Sequence, residues 1–352
     1  MKNIIIVAPE FPPNNLVGVH RNRFLAAHLE EFGYKPTVLT VKSKFYKEKL
    51  DSELEHLVPK NINIIKTNAF KANKIIGDTS IRCFFQHWKT LRKLAKQKKI
   101  DIIFISLFPA YSTLLGRLMY EEFKIPYCID YQDPWVAQSK FKHRLLSKAW
   151  ISDKLARILE PIATKKISLL MSVSQSYLTG VLKRNPKLKK IKTVIAPIGF
   201  EPNDYLLKEK KEILKNKYFT FTYAGAALPK SYPVLNAFFT AVEKYNDEKE
   251  NKKVKIKFIG TGFNTNDEKS FNIKPHAKNH NLYESTVTEQ PARIPYCDCL
   301  HMLESSDCIL IIGSTEKHYT ASKIFPAVFS KKPVLAILHE QSSAAKMLKE
   351  SN

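Results

Sequence analysis

The sequence lacks a long apolar segment, and it has few cysteines. No run approaches the ~18 to 20 apolar residues that a membrane-spanning helix requires, and the first predicted strand begins at Asn3 with no signal peptide ahead of it. A cytoplasmic protein is therefore expected. The five cysteines are an odd number without a regular spacing, which predicts reduced thiols and no disulfide framework.

Cys297, Cys299 and His301 are the one group that suggests a zinc cluster. They fall where a helix is predicted to begin, which disfavours a zinc cluster. No metal site is predicted.

Acidic residues are also scarce, since 33 Asp and Glu face 57 Lys and Arg, for a formal net charge of +24. Such a charge attracts nucleic acid, anionic lipid or polyanionic substrates. The lysines are scattered and accompany no RNA-binding signature or aromatic platform, so no nucleic-acid partner is predicted.

The first part of the chain alternates strands with helices. Residues 3–8 and 37–41 read as strands on either side of a helix at 19–32, with a proline-rich loop at 9–18. The apolar face of that helix is predicted to contain Phe24, Leu25, Leu29 and Phe32.

A polar cluster follows the predicted strand at 127–129. Asp130, Tyr131 and Asp133 come next, and Trp135 ends the segment. Because doubly wound sheets place function at the carboxyl edges of their strands, these residues are candidates for a site. The alternative is that Asp133, which precedes Pro134, only forms a turn.

Residues 140–170 read as a helix in which apolar and basic side chains alternate. One interpretation is a face between 140 and 157 that lies on an anionic membrane, with Phe141 and Trp150 as anchors. The other is an amphipathic helix whose apolar residues pack on the protein's own sheet.

At 352 residues the chain is long enough for two domains. A polar, lysine-rich stretch at 201–217 sets the predicted boundary, with an N-terminal domain at 1–205 and a C-terminal domain at 206–352. The second domain opens with a strand at 219–224, which ends at Gly225 with Lys230 close behind. A Gly-Thr-Gly sequence at 260–262 is no dinucleotide fingerprint, because Thr265 stands where the third glycine belongs.

Residues 308–338 read as strand, loop, helix and strand, which is a βαβ unit. Pro326 restricts the helix start to near Lys323, because proline is tolerated only in the first turn. Free backbone N–H groups beside Ser322 and Lys323, at the carboxyl end of a parallel strand, suit a phosphate or diphosphate. The alternative is an ordinary capped helix with no ligand.

Several short segments together resemble the family 4 (group 1) retaining glycosyltransferases of GT-B fold. They run in order over nearly the whole chain at 9–13, 130–135, 197–200, 223–225, 293–296, 306–307, 322–325 and 332–335, with Gly18, Arg21 and Gly33 between the first two. The resemblance implies an α/β fold of two doubly wound, Rossmann-like parallel-sheet domains facing a cleft.

The resemblance also implies a function. The C-terminal domain would bind a nucleotide-sugar, and the N-terminal domain a glycan or lipid-linked acceptor, in cell-surface polysaccharide synthesis without a cofactor or metal. No Asp-x-Asp motif is present, which agrees with metal independence. The implied donor-binding residues are Gly18, Gly225, Lys230, Ser322, Lys323 and Ile324. Asp133 is the implied catalytic residue, and the acceptor-side residues are Arg21, Asp130 and Tyr131.

Three departures from the family pattern favour a second hypothesis, a non-catalytic relative that acts as a binding or scaffold subunit. His318 and Pro326 stand where two glutamates are common, and Ala226 stands where an arginine is common. The family usually continues through further elements beyond the position of Asn352, so the expectation is either a shortened member of the family or an incomplete product.

Overall fold

The computed structural model describes residues 1–73, 76–136, 144–207, 217–248, 254–264, 267–315 and 322–350. The chain forms two compact units, Met1–Gly199 and Phe200–Asn352. Within the described residues no helix is both long enough and apolar enough to cross a membrane.

In the part of unit 1 that is described, seven parallel strands form one sheet in the order β3-β2-β1-β4-β5-β6-β7. The strands are β1 Lys2–Val7, β2 Tyr34–Val41, β3 Asn63–Thr67, β4 Ile102–Ser106, β5 Tyr127–Tyr131, β6 Leu169–Ser172 and β7 Lys192–Ile195. The helices between them are α1 Val17–His28, α2 Glu53–His56, α3 Thr79–Lys96, α4 Thr113–Phe123, α5 Lys148–Thr164 and α6 Gln175–Arg184.

Unit 2 repeats the plan with five parallel strands among its described residues, in the order β10-β9-β8-β11-β12. The strands are β8 Phe219–Ala224, β9 Val254–Ile259, β10 Val287–Gln290, β11 Cys308–Ile312 and β12 Val334–Ile337. The helices are α7 Asn203–Leu207, α8 Tyr232–Glu248, α9 Lys274–Asn279, α10 Tyr296–Glu304, α11 Ile324–Phe329 and α12 Ser343–Glu350.

Two interior strands, β11 and β5, show why short apolar runs become parallel strands here. All five residues of β11 are buried, as expected of a strand with helices on both faces of its sheet. In β5, Tyr127, Ile129 and Tyr131 belong to the core on one face of the sheet, while Cys128 packs into the core on the other face. The prediction of two doubly wound parallel-sheet α/β domains is confirmed.

Three local predictions need correction. The region 140–170 is not one helix, because α5 spans Lys148–Thr164 and β6 begins at Leu169, while residues 137–143 lie outside the described part. Helix α1 starts at Val17, so Gly18 lies in the helix and not in the preceding loop. Phe32 is 73% exposed and therefore does not belong to a buried face.

Candidate functional site

The topological switch point of unit 2 lies between β8 and β11. These two strands are neighbours in the sheet. The strands that follow β8 in the chain, β9 and β10, lie on one side of this pair, and the strand that follows β11, β12, lies on the other side. Such a switch point opens a crevice beyond the carboxyl ends of the two strands, which is where doubly wound sheets bind ligands. Gly225 directly follows β8, and Gly313 directly follows β11.

Lys323 lies against Gly225 at this point. Gly225 has a φ of +113°, and a Cβ atom there would lie 2.7 Å from Cε of Lys323 and 3.3 Å from its Nζ. The lysine stem thus occupies the space that any larger residue at 225 would need. The sequence analysis assigned both residues to donor binding, and the structure brings them into contact.

The Lys323 ammonium is held by groups of the β8 strand and the turn after it. Nζ donates hydrogen bonds to the hydroxyl of Tyr223 and, at 3.1 Å, to the carbonyl of Ala226, and it lies 3.9 Å from the centre of the Tyr223 ring. Desolvation by burial lowers the pKa of Lys323 to about 7, the Cys299 thiol opposes this shift, and Arg293 adds to it. An anion bound beside Lys323 would therefore favour the protonated, charged form of the lysine.

Arg293 is a second cation that the sequence analysis did not assign to the site. It lies just beyond the carboxyl end of β10, and its Cγ would be 3.8 Å from a Cβ at Gly260. Its charge acts on both Lys323 and Cys299. The one sequence signal for Arg293 was its place in the resembling segment 293–296, because no strand was predicted at 287–290.

The other predicted donor residues are less tightly placed. Lys230 is exposed in the single turn Pro229–Ser231 after β8. Ser322 is half-buried next to Lys323, and the Ile324 side chain is packed in the core. Helix α11 has only six residues and no side-chain cap, so its dipole is weak. Most of the predicted phosphate loop, 316–321 with His318, lies outside the described residues.

Unit 1 has its own switch point, between β1 and β4. Gly18 of α1 is packed there, since a Cβ atom would lie 2.6 Å from the Phe108 ring and 3.0 Å from Oε1 of Gln132. Nε2 of Gln132 donates to Oγ of Ser106 at 2.6 Å. This packing alone accounts for a glycine at position 18, and a role beside donor phosphates stays a prediction.

Arg21 and Asp130 form a buried bidentate ion pair. Nε and Nη2 of Arg21 donate to the two carboxylate oxygens of Asp130 at 2.5 and 2.8 Å, and Nη1 donates to the carbonyls of Ala196 and Pro197 at 2.7 and 2.6 Å. The pair joins α1 to the end of β5 and to the segment after β7. These contacts argue for a structural role rather than direct contact with an acceptor.

Tyr131 was also assigned to the acceptor side, but its side chain lies in the core. It has no exposed surface, and its hydroxyl donates to Oε1 of Glu160 at 3.4 Å. Because side chains alternate along a strand, Tyr131 lies on the same face of β5 as Tyr127 and Ile129 and belongs to the same core. This burial argues against direct contact between Tyr131 and an acceptor.

Asp133 lies two residues beyond the end of β5. Its side chain is exposed in the loop, yet desolvation by the surrounding protein raises the pKa of its carboxyl, and the carboxyl in turn contributes to the raised pKa of Tyr177. Trp135, in the same loop, makes an edge contact with Tyr111 at 5.7 Å between ring centres. The aspartate is therefore the reactive side chain of this loop that a ligand can reach.

Cys297, Cys299 and His301 all lie on α10, as the predicted helix required. Burial raises the pKa of the Cys299 thiol to about 11, which keeps it protonated. Across the described ranges no group of three or more His, Cys, Asp or Glu side chains could hold a metal ion.

Comparison with known proteins reveals the fold and not the family. No family profile and no curated protein sequence matches the chain. Sucrose-phosphate synthase from Thermosynechococcus elongatus matches in structure with a TM-score of 0.61 and 13% identity, over 96% of this chain and 81% of that one. WaaG, a glycosyltransferase involved in lipopolysaccharide biosynthesis, matches with 0.61 and 12%, over 99% and 84%.

A third solved structure shares the fold but has a different activity. The UDP-GlcNAc 2-epimerase from Methanocaldococcus jannaschii matches with a TM-score of 0.54 and 13% identity, over 99% of this chain and 87% of that one. At these identities the similarity establishes the GT-B fold of two parallel-sheet α/β domains. The reaction must be argued from the residues.

Proposed function

We propose that the protein is a metal-independent, retaining glycosyltransferase that uses a nucleotide-diphosphate sugar as donor. The acceptor would be a glycan or a lipid-linked glycan, in the synthesis of a cell-surface polysaccharide on the cytoplasmic side of the membrane. The observation that carries this proposal is the placement of Lys323 against Gly225 at the switch point of unit 2. The GT-B fold of the structural neighbours supports it.

The chemistry demands positive charge where the donor's diphosphate leaves. Breaking the bond to the anomeric carbon puts negative charge on the diphosphate, and fixed cations and N–H donors that are already in place stabilise that charge. Lys323 and Arg293 supply cations at the carboxyl edge of the sheet, and Lys230 adds an exposed one. A diphosphate beside Lys323 would raise the pKa of the lysine from about 7, so that the side chain takes up a proton and becomes charged.

Unit 1 would supply the acceptor side and Asp133. The raised pKa of this carboxyl reflects a desolvated position, which is common among groups that take part in proton or charge transfer. The buried Arg21–Asp130 pair would hold the end of β5, and so the start of the Asp133 loop, in place.

The test is a thermal-shift panel of uridine, guanosine, cytidine and thymidine diphosphates, followed by the matching nucleotide-sugars in buffer with EDTA. A ligand at a hundred times its Kd stabilises the folded state by about 2.7 kcal/mol, which gives a clear rise in Tm. One base should raise the Tm, and its sugar conjugate should be consumed in EDTA with the anomeric configuration retained. No shift with any diphosphate would contradict the proposal.

The alternative is a non-catalytic GT-B relative that binds a ligand or partner without turnover. Ala226 favours it, because the residue after Gly225 is exposed and carries no charge to accompany Lys323. A diphosphate that binds while the nucleotide-sugar stays intact with every glycan acceptor tried would support this alternative. Epimerisation of the sugar without transfer would instead point to the reaction named for the third structural neighbour.

A further inference from the structure

Helix α5 exposes four of its five large aliphatic side chains to solvent, and the fifth, Leu159, is half-buried. Ile151, Leu155, Ile158 and Ile162 are 45%, 42%, 61% and 47% exposed, and they recur at intervals of four, three and four residues. At 3.6 residues per turn this spacing places all four in one narrow stripe along the helix. We call these four residues the aliphatic stripe.

The inner face of α5 is made of small and polar residues. Ala156, Glu160, Ala163 and Thr164 are its buried residues. The sequence analysis left open whether the apolar residues pack on the protein's own sheet, and for the aliphatic stripe that interpretation is wrong. An ordinary surface helix buries its large apolar side chains and exposes its polar ones, and α5 has the opposite arrangement for the aliphatic stripe.

A buried network fixes this orientation. Nε and Nη2 of Arg184 donate to the two carboxylate oxygens of Glu160 at 2.7 and 2.8 Å, and Nδ2 of Asn185 donates to Oε2 at 3.2 Å. The Tyr127 hydroxyl donates to the carbonyl of Ala163 at 2.6 Å. Rotating α5 to bury the stripe would carry Glu160 away from these partners and leave buried polar groups such as the Asn185 amide without it, which is costly.

Two further leucines and a set of cations surround the stripe. Leu145 and Leu146, just before α5, are 69% and 71% exposed. Between 144 and 166 the basic residues are Arg144, Lys148, Lys154, Arg157, Lys165 and Lys166, and all six are exposed. Both acidic residues in this segment, Asp153 and Glu160, are paired with arginines. The surface around the stripe is thus apolar and positively charged.

We propose that the aliphatic stripe, with Leu145 and Leu146, is a docking surface for an anionic lipid bilayer. A helix lying in the plane of a membrane needs an apolar face that enters the acyl boundary and cations that meet the headgroups. Lys148 and Lys154 lie about 60° to either side of the stripe at 100° per residue, where anionic headgroups would be. A purely acidic protein surface would pair with the same cations but would leave the outward aliphatic side chains without an apolar environment.

This surface differs from the one that sequence analysis pointed to. Phe141 lies outside the described residues, and Trp150 is only half-exposed, with the Lys154 ammonium 5.6 Å from its ring centre. The anchors are instead the four residues of the stripe, all of them C-terminal to Trp150. Docking does not depend on the proposed transfer reaction, although it would bring a lipid-linked acceptor to the protein.

Co-sedimentation of the full chain with vesicles tests the proposal. Vesicles of phosphatidylcholine with one third phosphatidylglycerol should bind the protein, pure phosphatidylcholine should bind it at least tenfold more weakly, and high salt should release it. Leu155→Glu with Ile158→Glu should weaken binding more than about tenfold, because two apolar anchors are replaced by like charges for the headgroups. Lys148→Glu with Lys154→Glu should cost at least about fivefold for each residue.

Phe32→Glu is the control, because Phe32 is even more exposed but lies on another element of unit 1. It should bind vesicles like the wild type. Equal vesicle binding by the wild type and the stripe variant would overturn the proposal, and so would equal binding to neutral and anionic lipid. The main alternative is that the stripe is an interface between two copies of this chain, and sedimentation velocity tests it. A wild type that dimerises and does not bind vesicles, with a stripe variant that is monomeric, would support that alternative and overturn the membrane proposal.

Discussion

Arg21 and Asp130 are joined by two hydrogen bonds in the interior of unit 1, at 2.5 and 2.8 Å, although they lie 109 positions apart in the sequence. Arg21 is 6% exposed and Asp130 is fully buried. The remaining arginine donor group, Nη1, reaches two backbone carbonyls beyond β7. One side chain therefore connects three separate parts of the chain.

Asp130→Asn should destabilise unit 1 by about 3 to 5 kcal/mol, because it leaves the Arg21 charge buried and unpaired. The three tryptophans, Trp88, Trp135 and Trp150, all belong to unit 1, so their fluorescence during urea unfolding follows that unit alone. The matched control is Asp153→Asn, whose partner Arg157 is 49% exposed, and it should cost at most about 1 kcal/mol. Similar losses for both variants would contradict the structural role assigned to Arg21.

Glu10 should make unit 1 less stable as the pH rises. Burial, aided by the negative charge of Glu48, raises the pKa of Glu10 from 4.5 to about 7. Because the folded state holds the proton more tightly, this contribution to stability is complete below pH 4.5 and is lost as the pH rises through about 7. The difference amounts to on the order of 3 kcal/mol.

Glu10→Gln removes the titrating group and keeps an oxygen for the hydrogen bond from Thr79. The variant should be more stable than the wild type at pH 8, and the gap should close by pH 5. Tryptophan fluorescence in urea at several pH values measures both. Glu55→Gln, at an exposed position, is the control and should leave the pH profile unchanged. A wild type as stable at pH 8 as at pH 5 would count against a buried, protonated Glu10.

Asp133→Asn should lower kcat for sugar transfer by more than tenfold while leaving donor affinity within about twofold. The reason is that Asp133 belongs to unit 1, whereas the proposed diphosphate site is built from unit 2. Steady-state kinetics with the donor found by the ligand panel, together with a direct binding titration, separates the two effects. Full transfer activity in the variant would reduce Asp133 to a turn former before Pro134.

Gly225→Ala should weaken nucleotide binding by moving Lys323. A methyl group at 225 would lie 2.7 Å from Cε of the lysine, so the flexible side chain must leave its hydrogen bonds to Tyr223 and Ala226. Gly33→Ala is a matched control in unit 1, because its φ is also positive, at +80°, but nothing lies within 4 Å of the added carbon. Both variants should lose about 1 to 2 kcal/mol of stability to backbone strain. Only Gly225→Ala should lose affinity, as a calorimetric titration would show.

Most of the strands could be predicted from the sequence, because runs such as Cys308–Ile312 are apolar throughout. The short strands β3 and β10 contain polar residues and were not predicted. The placement of Lys323 near Gly225 could also be anticipated, since parallel strands end at one edge of the sheet. Arg293 was missed because the strand that precedes it, β10, was not predicted, so nothing in the sequence analysis placed this arginine at that edge.

Side-chain direction was harder to predict than strand position. Tyr131 follows Asp130 directly, and one step along a strand reverses the face on which a side chain lies. Arg21 and Arg23 are buried, although arginine is normally exposed. Their burial could not be predicted, because their hydrogen-bond partners come from distant segments of the chain that no local sequence pattern reveals. In α5 the stripe has the spacing of a core face, and only the buried Glu160 network shows that it points outward.

The central claim is that Lys323 binds the donor diphosphate, and the affinity of the matching nucleoside diphosphate between pH 6.5 and 9 tests it most directly. Since the pKa of free Lys323 is about 7 and a diphosphate favours the charged form, wild-type affinity should fall above pH 7, by at most tenfold per pH unit. Lys323→Arg should bind with little pH dependence, because arginine stays charged. Lys323→Ala should lose roughly 1 to 3 kcal/mol at pH 7 and show the same flat profile. A Lys323→Ala variant with wild-type affinity and an unchanged pH profile would contradict the account.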